Sequence, residues 1–168
     1  MNIHYMWGEP EAHATESRRL FVVDIENMVG GSSNLTLASA MWARRTLERE
    51  FGLAADEHVV VAVGSSKALF PVSKAFPGKQ VLLQRGVDGA DLALIDSFDI
   101  EHAASRYDEV VIASGDGIFA SLASTLAHYG ATVTAAADPG RMSARLRFAA
   151  HHTHYFRTIL PMIQKVAA

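Results

Sequence analysis

The sequence contains no cysteine, so disulfide bonds, thiolate nucleophiles and zinc–thiolate sites are all excluded. No apolar run approaches the roughly 18–20 residues that a membrane-spanning helix needs. Residues 1–19 lack a basic region followed by an apolar core, so we expect no signal peptide and a cytoplasmic location. A Walker loop and a Gly-x-Gly-x-x-Gly turn are also missing, which removes the common nucleotide-binding motifs.

Charge of one sign is not in large excess, because 15 Lys and Arg residues face 18 Asp and Glu residues, for a net charge of −3. This balance excludes a strongly basic coat for nucleic acid, although it allows a local basic rim. Apolar residues make up 49% of the 168-residue chain, which is typical of a globular domain. The length predicts one domain over residues 19–168, preceded by an arm over residues 1–18.

Short β-branched runs alternate along the chain with segments of helical periodicity. Strands are predicted at residues 20–24, 59–63, 80–83, 109–113, 132–137 and 154–156. Helices are predicted at residues 35–51, from 67 with a break near Pro71, and at 90–106, 118–129, 141–149 and 159–166, with Asn34 as the cap of the first. This alternation predicts an α/β fold, with a mainly parallel sheet covered by helices on both faces.

Acidic residues follow three of the predicted strands. Asp24 ends the first strand, Asp116 follows the fourth, and Asp88 and Asp91 lie where the third strand passes into its helix. The carboxyl ends of parallel strands lie along one edge of the sheet. They form a crevice where the connections from two neighbouring strands run to opposite sides. Several carboxylates in one crevice repel one another unless a cation is present. Oxygen ligands of this kind suit Mg²⁺ or Mn²⁺, which bind phosphate oxygens and activate water.

Two predicted helix starts at the same edge carry groups that suit a phosphate. Residues 114–117 read Ser-Gly-Asp-Gly, and we expect the backbone N–H groups around Ser114 and Gly115 to be free for an anion. Arg141 and Ser143 lie at the second helix start. A basic rim for an RNA backbone is also predicted, with ordinary surface charge as the alternative. Its candidates are Lys67, Lys74, Arg85, Arg141, Arg145 and Arg147, of which Arg85 and Arg141 lie at the predicted active edge.

Each acidic position also has an ordinary structural interpretation. Asp24 alone is explained by a turn after its strand, and Asp116 by an N-cap. Asp91 suits the first turn of any helix, and Asp88 suits a turn. Glu26 is predicted to point away from Asp24 and to have a surface or supporting role.

The segments 21–27, 89–91 and 111–119, which read FVVDIEN, GAD and VIASGDGIF, together resemble the NYN domain family, a branch of the PIN-like nucleases. The resemblance implies a three-layer sandwich with strand order 3-2-1-4-5 and divalent-metal-dependent cleavage of RNA, most simply as an endonuclease. It implies that Asp24, Asp91 and Asp116 hold the metal. It also gives Asn27 a role in shaping the site and Ser143 a hydroxyl near the substrate.

One position departs from the family pattern. A second aspartate often follows the Ser-Gly-Asp motif two residues later, and this chain has Ile118 there. Asp88 or Asp138 would have to compensate. A catalytically inactive NYN module that binds RNA is therefore an alternative, and a phosphatase or nucleotide-binding α/β protein is a third. A homodimer is compatible with the arm and with the predicted terminal helix.

Overall fold

The six strands form one fully parallel sheet. A computed structural model describes residues 17–157, so most of the predicted arm and the predicted helix over 159–166, with the dimer contacts expected of them, lie outside the described residues. The strands are β1 Arg19–Asp24, β2 His58–Val63, β3 Gln80–Leu83, β4 Glu109–Ala113, β5 Thr132–Ala137 and β6 His152–Tyr155. Their order is β3-β2-β1-β4-β5-β6, which confirms the predicted order and adds β6 at the edge.

Helices cover both faces of this sheet, as predicted. They are α1 Ile25–Val29, α2 Leu37–Phe51, α3 Ser66–Ala75, α4 Gly89–Asp96, α5 Ile100–Arg106, α6 Ala120–His128 and α7 Ala144–Ala149, with 3₁₀ turns at Ser32–Asn34 and Gly117–Phe119. No helix among residues 17–157 is long and apolar enough to cross a bilayer.

Strand β1 lies at the centre and contributes to two separate cores. Phe21 and Val23 pack on one face with residues of α2 and α3. Leu20 and Val22 pack on the other face with residues of α4, α5 and α6. A continuous apolar run is what a strand buried on both faces requires. Each fully buried side chain of this kind contributes about 1.5–3 kcal/mol relative to exposure.

The register of β1 against β4 decides what meets at the carboxyl edge. Val23 pairs with Ala113, so the next residues along the two strands, Asp24 and Ser114, become neighbours. The chain passes from β1 to β2 on one side and reaches β4 on the other. This is the topological switch point at which open parallel sheets form a crevice.

Three predicted helix boundaries are wrong, and one of them is the start of α7, which is Ala144 and not residue 141. Thr36, not Asn34, caps α2, through reciprocal bonds with Ser39. The amide of Asn34 instead donates to the carbonyls of Val29 and Gly30, where it caps the end of α1. The predicted helix over 90–106 is two helices, because the Asp99 carboxylate accepts the backbone N–H of His102 at 2.7 Å and starts α5.

Pro71 does not interrupt its helix, contrary to the prediction. Helix α3 runs continuously from Ser66 to Ala75 with Pro71 inside it. Pro71 lies in the second turn, so its missing N–H removes one backbone hydrogen bond while side chains such as Val72 remain buried. Burial of the helix face that carries Val72 outweighs the loss of this one hydrogen bond.

Candidate functional site

The predicted acidic residues meet in a crevice of about 290 Å³ at the carboxyl edge of the sheet. The ends of β1 and β4 and the starts of α1 and α4 form its walls. Five acidic residues line it, namely Asp24, Glu26, Asp88, Asp91 and Asp116. Asn27, Arg141 and several glycines complete the lining. The sequence placed four of these acids at one edge, and the fold brings all four into one crevice.

Asp24 is held in place from two sides. Its Oδ1 accepts the backbone N–H of Asn27 at 3.0 Å, which makes it the N-cap of α1. Its Oδ2 accepts the hydroxyl of Ser114 at 2.7 Å. Only 3% of Asp24 is exposed, and burial raises its pKa, with the nearby Glu26 carboxylate adding to the effect. The capping role and a place in the crevice are therefore both filled by the same carboxylate.

Ser114 lies beneath the crevice rather than in it. It is fully buried, and besides donating to Asp24 its Oγ accepts the backbone N–H of Asp116 at 3.1 Å. Its side chain has no exposed surface, and its contact with a substrate stays a prediction from the sequence. Its hydroxyl connects the carboxylate of β1 to the loop after β4.

The backbone N–H groups of this loop are already used. The N–H of Gly115 donates to Asn27 Oδ1 at 3.0 Å, and the N–H of Ile118 donates to Asp116 Oδ1 at 2.9 Å. The N–H groups of Gly115, Asp116 and Ile118 thus have internal acceptors, and the phosphate contact at this loop stays a prediction from the sequence. A Cβ at Gly115 would lie 2.2 Å from the carbonyl oxygen of Arg141, so close packing explains this glycine.

Asn27 joins the two halves of the site. Its backbone N–H donates to Asp24 Oδ1, while its side-chain oxygen accepts the N–H of Gly115 across the switch point. Asn27 thus takes part both in the start of α1 and in the contact between the two halves of the site. Removing its amide would leave the loop after β4 without a tie to α1.

Asp91 is a second acid of the crevice whose surroundings perturb its pKa strongly. It lies half-buried in the first turn of α4. Burial raises its pKa to about 7, and the carboxylates of Asp24 and Asp116 add to the shift, followed by Asp88 and Glu26. A carboxyl group with this pKa lies among like charges, and a cation bound between them would lower the repulsion.

Glu26 lines the crevice, so the prediction that it points away from Asp24 is wrong. Helix α1 begins at Ile25, and helical geometry turns Glu26 toward β2, where its Oε1 accepts the backbone N–H of Gly64 at 2.9 Å. The signal was available in the sequence. An Asp, then five residues and a Gly-Gly pair, is also the pattern of a short N-capped helix with a glycine end.

The two acids considered as substitutes for the missing aspartate differ in position. Asp88 lines the crevice, and it has a φ of +54°, the single positive φ at a non-glycine among residues 17–157. Asp138 is not among the lining residues, and its Oδ2 lies 3.7 Å from Arg141 Nε. Ile118 itself is half-buried against the core. Asp88 is therefore the acid that the fold makes available.

The two arginines and the serine predicted to contact the substrate also differ in whether they line the crevice. Arg141 lines the crevice, and its Nη1 lies 3.5 Å from the carbonyl oxygen of Asn27. Arg85 is exposed outside the lining and donates to the hydroxyl of Ser66. Ser143 is also outside the lining, and its backbone N–H donates to the carbonyl of Gly115. Of the three, the structure brings Arg141 to the acids.

The donor chemistry of the crevice fits a hard divalent cation. Its ligands would all be carboxylate or amide oxygens, which Mg²⁺ and Mn²⁺ prefer. Within residues 17–157, no three or more His, Asp or Glu side chains form a ready coordination set. The acids therefore surround the crevice without closing on one point, and a metal ion that keeps several waters is the kind that such a site accommodates.

The parallel sheet, its strand order and the acidic crevice at the switch point define a PIN-like α/β domain. The family model of the NYN domain matches residues 58–160, more than half of the chain, and the chain belongs to that family. This confirms the resemblance found in the sequence. Asp91 and Asp116 fall inside the matched range, while Asp24 and Asn27 precede it.

A solved structure has the same fold. It is the crystal structure of a protein of unknown function from Vibrio parahaemolyticus, with a TM-score of 0.61 and 18% identity over 83% of this chain and 92% of that one. At this identity the likeness concerns the fold alone. No curated protein matches the chain significantly in sequence. NYN domains are PIN-like modules that generally act as nucleases and bind RNA, and PIN-like nucleases usually use divalent metals.

Proposed function

We propose that this NYN domain is a ribonuclease that hydrolyses RNA phosphodiester bonds, most simply as an endonuclease, with Mg²⁺ or Mn²⁺. The observation that supports it best is Asp91, whose pKa is raised to about 7 by burial and by four surrounding carboxylates. Such a cluster of carboxylates destabilises the folded chain unless a cation neutralises it. A divalent cation bound between them would do so. A homodimer and a cytoplasmic location stay predictions from the sequence.

Asp24, Asp91 and Asp116 would hold the metal in this proposal, with Asp88 as a further ligand. When bound, the metal would supply charge to the phosphate oxygens and lower the pKa of a water molecule. Asp24 suits this role because Ser114 and Asn27 fix both of its oxygens and prevent it from rotating. Asp116 is exposed, so it reaches a substrate that Asp24 cannot reach from its buried position.

The remaining side chains of the crevice orient rather than ligate. Asn27 holds the Asp116 loop against α1 through Gly115. Glu26 fixes the start of the loop after β2 through Gly64. Arg141 is the cation among the described lining residues, so it is placed to pair with a phosphate entering an otherwise acidic crevice. Hydrolysis would leave a 5′-phosphate, as the family resemblance implies.

A non-catalytic RNA-binding module is the second candidate, and Ile118 is the observation that favours it. The side chain at this position packs against the core, so it contributes no oxygen to the crevice. One acid of the family pattern is absent, and Asp88 approaches from a different wall. A site with fewer ligands would bind metal more weakly while leaving the surface for RNA intact.

The test compares Asp116→Asn with Asp96→Asn, which removes an exposed acid of α4 outside the lining of the crevice. Purified chain is incubated with end-labelled RNA in Mn²⁺, in Mg²⁺ and in chelator. We expect metal-dependent cleavage that Asp116→Asn lowers about 100-fold and Asp96→Asn leaves unchanged. Calorimetric titration with Mn²⁺ gives a second readout, in which Asp116→Asn weakens binding.

Each other outcome selects a different interpretation. Cleavage that Asp116→Asn does not change would refute the assignment of this residue. RNA binding without cleavage in either metal would favour the regulatory module. Hydrolysis of a small phosphomonoester, with RNA left intact, would favour a phosphatase.

A further inference from the structure

Helix α7 presents an aromatic ring to solvent with an arginine over it. Phe148 is 79% exposed, although a side chain of this size is normally buried. The Arg147 guanidinium carbon lies 4.9 Å from the centre of the ring. A guanidinium beside an open aromatic face is a combination on which a nucleic-acid base stacks.

Contacts of α7 put this pair next to the acidic crevice. A Cβ placed at Gly117, the residue after Asp116, would lie 2.8 Å from Ser143 Oγ and 3.8 Å from Arg145 Cβ. The start of α7 therefore packs on the loop that carries Asp116. Arg145 and Phe148 are three residues apart in α7, so they share one side of the helix about 4.5 Å apart along its axis.

The charge of this segment differs from that of the chain as a whole. The net charge of the chain is −3, yet residues 139–157 contain four arginines and no Asp or Glu. Arg145 and Arg147 are exposed in α7, and neither belongs to an ion pair recorded for the described residues. A basic strip thus leads from the acidic crevice along α7, which complements a phosphate backbone.

We infer that α7 is a docking strip for single-stranded RNA, in which Phe148 stacks on an unpaired base and Arg145 and Arg147 bind the adjoining phosphates. The inference rests on the proposed function in so far as the partner is RNA. Single strands fit the strip because an unpaired base can turn a face toward Phe148, whereas the bases of a duplex are stacked on one another. The strip gives the substrate an approach to the crevice from the α7 side.

The binding test uses no divalent metal, so it does not depend on cleavage. Fluorescence anisotropy of a labelled oligouridylate of about ten nucleotides is measured in chelator with Phe148→Ala. The matched control is Phe70→Ala on α3, since Phe70 is 67% exposed and Lys74 Nζ lies 5.8 Å from its ring centre. We expect Phe148→Ala to weaken binding about 5- to 10-fold and Phe70→Ala to change it less than about twofold.

Two further variants separate stacking from charge. Phe148→Trp keeps a ring and should keep the affinity, with indole emission quenched when the oligonucleotide binds. Arg145→Gln should weaken single-stranded and duplex RNA alike and lower the salt slope by about one. Phe148→Ala should leave the affinity for duplex RNA unchanged, because a duplex offers no free base face.

Three results would overturn the docking strip. They are equal losses with Phe148→Ala and Phe70→Ala, unchanged binding with Phe148→Ala, and no measurable binding of the oligonucleotide by the wild-type chain. Failure of the proposed function is seen separately, as RNA that is bound through Phe148 in chelator but not cut when Mn²⁺ is added.

Discussion

The two edges of the sheet differ in how their charges are neutralised. At the amino edge a cavity of about 1080 Å³ is lined by Arg18, Arg19, Glu57 and Lys79, among others. At the carboxyl edge the crevice is about 290 Å³ and its lining is mostly acidic. The larger cavity is not the one with unusual chemistry, so volume does not locate the site in this protein.

Charges at the amino edge are paired with one another. Arg19 Nη2 lies 2.9 Å from Glu57 Oε2, and Arg19 Nη1 donates to the carbonyl of Phe51 at 2.9 Å. Lys79 Nζ donates to the carbonyls of Ala55 and Glu57. Contacts of this kind stabilise the connections between strands and satisfy Arg19, Glu57 and Lys79 within the chain.

Charges at the carboxyl edge instead repel one another. The pKa of both Asp24 and Asp91 is raised, with burial as the largest cause and neighbouring carboxylates as the next cause for Asp91. The comparison teaches that unneutralised like charge, held in place by hydrogen bonds, marks the candidate site. Functional sites are where such perturbed groups collect.

The largest expected effect separates the two edges by activity. Asp91→Asn should lower metal-dependent RNA cleavage by about 100-fold, because it removes a proposed ligand. Arg106→Gln, which changes an exposed residue of the amino-edge cavity, should leave cleavage unchanged. Initial rates on end-labelled RNA measure both. Similar losses from the two variants would place the chemistry elsewhere than the crevice.

The next effect tests the packing of the crevice. Gly115→Ala should lower the free energy of unfolding by about 2 kcal/mol, because its Cβ would lie 2.2 Å from the Arg141 carbonyl oxygen. Gly140→Ala is the control, since no atom lies within 4 Å of the position of its Cβ. Urea denaturation measures both. A neutral Gly115→Ala would mean that the loop after β4 moves freely, and the hydrogen bonds of Gly115 would then not hold the site.

A smaller effect is expected from pH. The pKa of Asp91 is 3.8 ordinarily and about 7 in the folded chain, so folding takes up a proton between these values. Metal-free stability should therefore fall as pH rises from about 4 to about 7. Asp91 is half exposed, and solvent screening reduces the loss to about 1–2 kcal/mol.

Thermal unfolding in chelator at several pH values measures this loss, and Asp91→Asn should flatten the curve. His58 gives the opposite slope below pH 6.5, because burial lowers its pKa, so the difference between wild type and variant is the quantity to compare. Saturating Mg²⁺ at pH 8 should restore stability to the wild type and not to Asp91→Asn. Equal responses of the two proteins to Mg²⁺ would argue against a metal at Asp91.

The smallest effect belongs to the amino edge. Arg19→Gln should lower the free energy of unfolding by about 1 kcal/mol, since it removes a partly buried ion pair with Glu57. Arg18→Gln, whose pair with Asp108 is more exposed, should cost less. Neither should change RNA cleavage. Chemical denaturation measures the free energy of unfolding, and initial rates measure cleavage. A change in the cleavage rate would mean that the amino edge affects the acidic crevice.

The strands were predictable because buried parallel strands leave a local signal. The runs that begin at Leu20, Val59 and Glu109 are apolar and β-branched, and their predicted bounds agree with the structure within one residue at most termini. Helix ends were less predictable. Asn34 and Asp99 both carry capping side chains, and which helix end each one caps depends on contacts that a local pattern does not contain.

The site was predictable in membership and less so in detail. Asp24 and Asp116 were found because both follow strands, and parallel register brings strand ends together. Glu26 was misplaced because α1 begins directly after β1, so helical geometry and the contact with Gly64 decide where its side chain lies. The burial of Ser114 was not predicted, because nothing in its local sequence shows that Asp24 would cover it.

The sequence by itself determined the succession of strands and the acidic edge, because apolar period and residue type act over short distances, and its motifs carried the family resemblance. Only the tertiary structure decided that Asp24 is clamped by Ser114, that Asn27 uses the Gly115 N–H, and that Asp91 lies among like charges. The two hydrogen bonds join residues 90 and 88 positions apart, and the charges around Asp91 come from separate segments of the chain. Such groups meet only when the strands take their register.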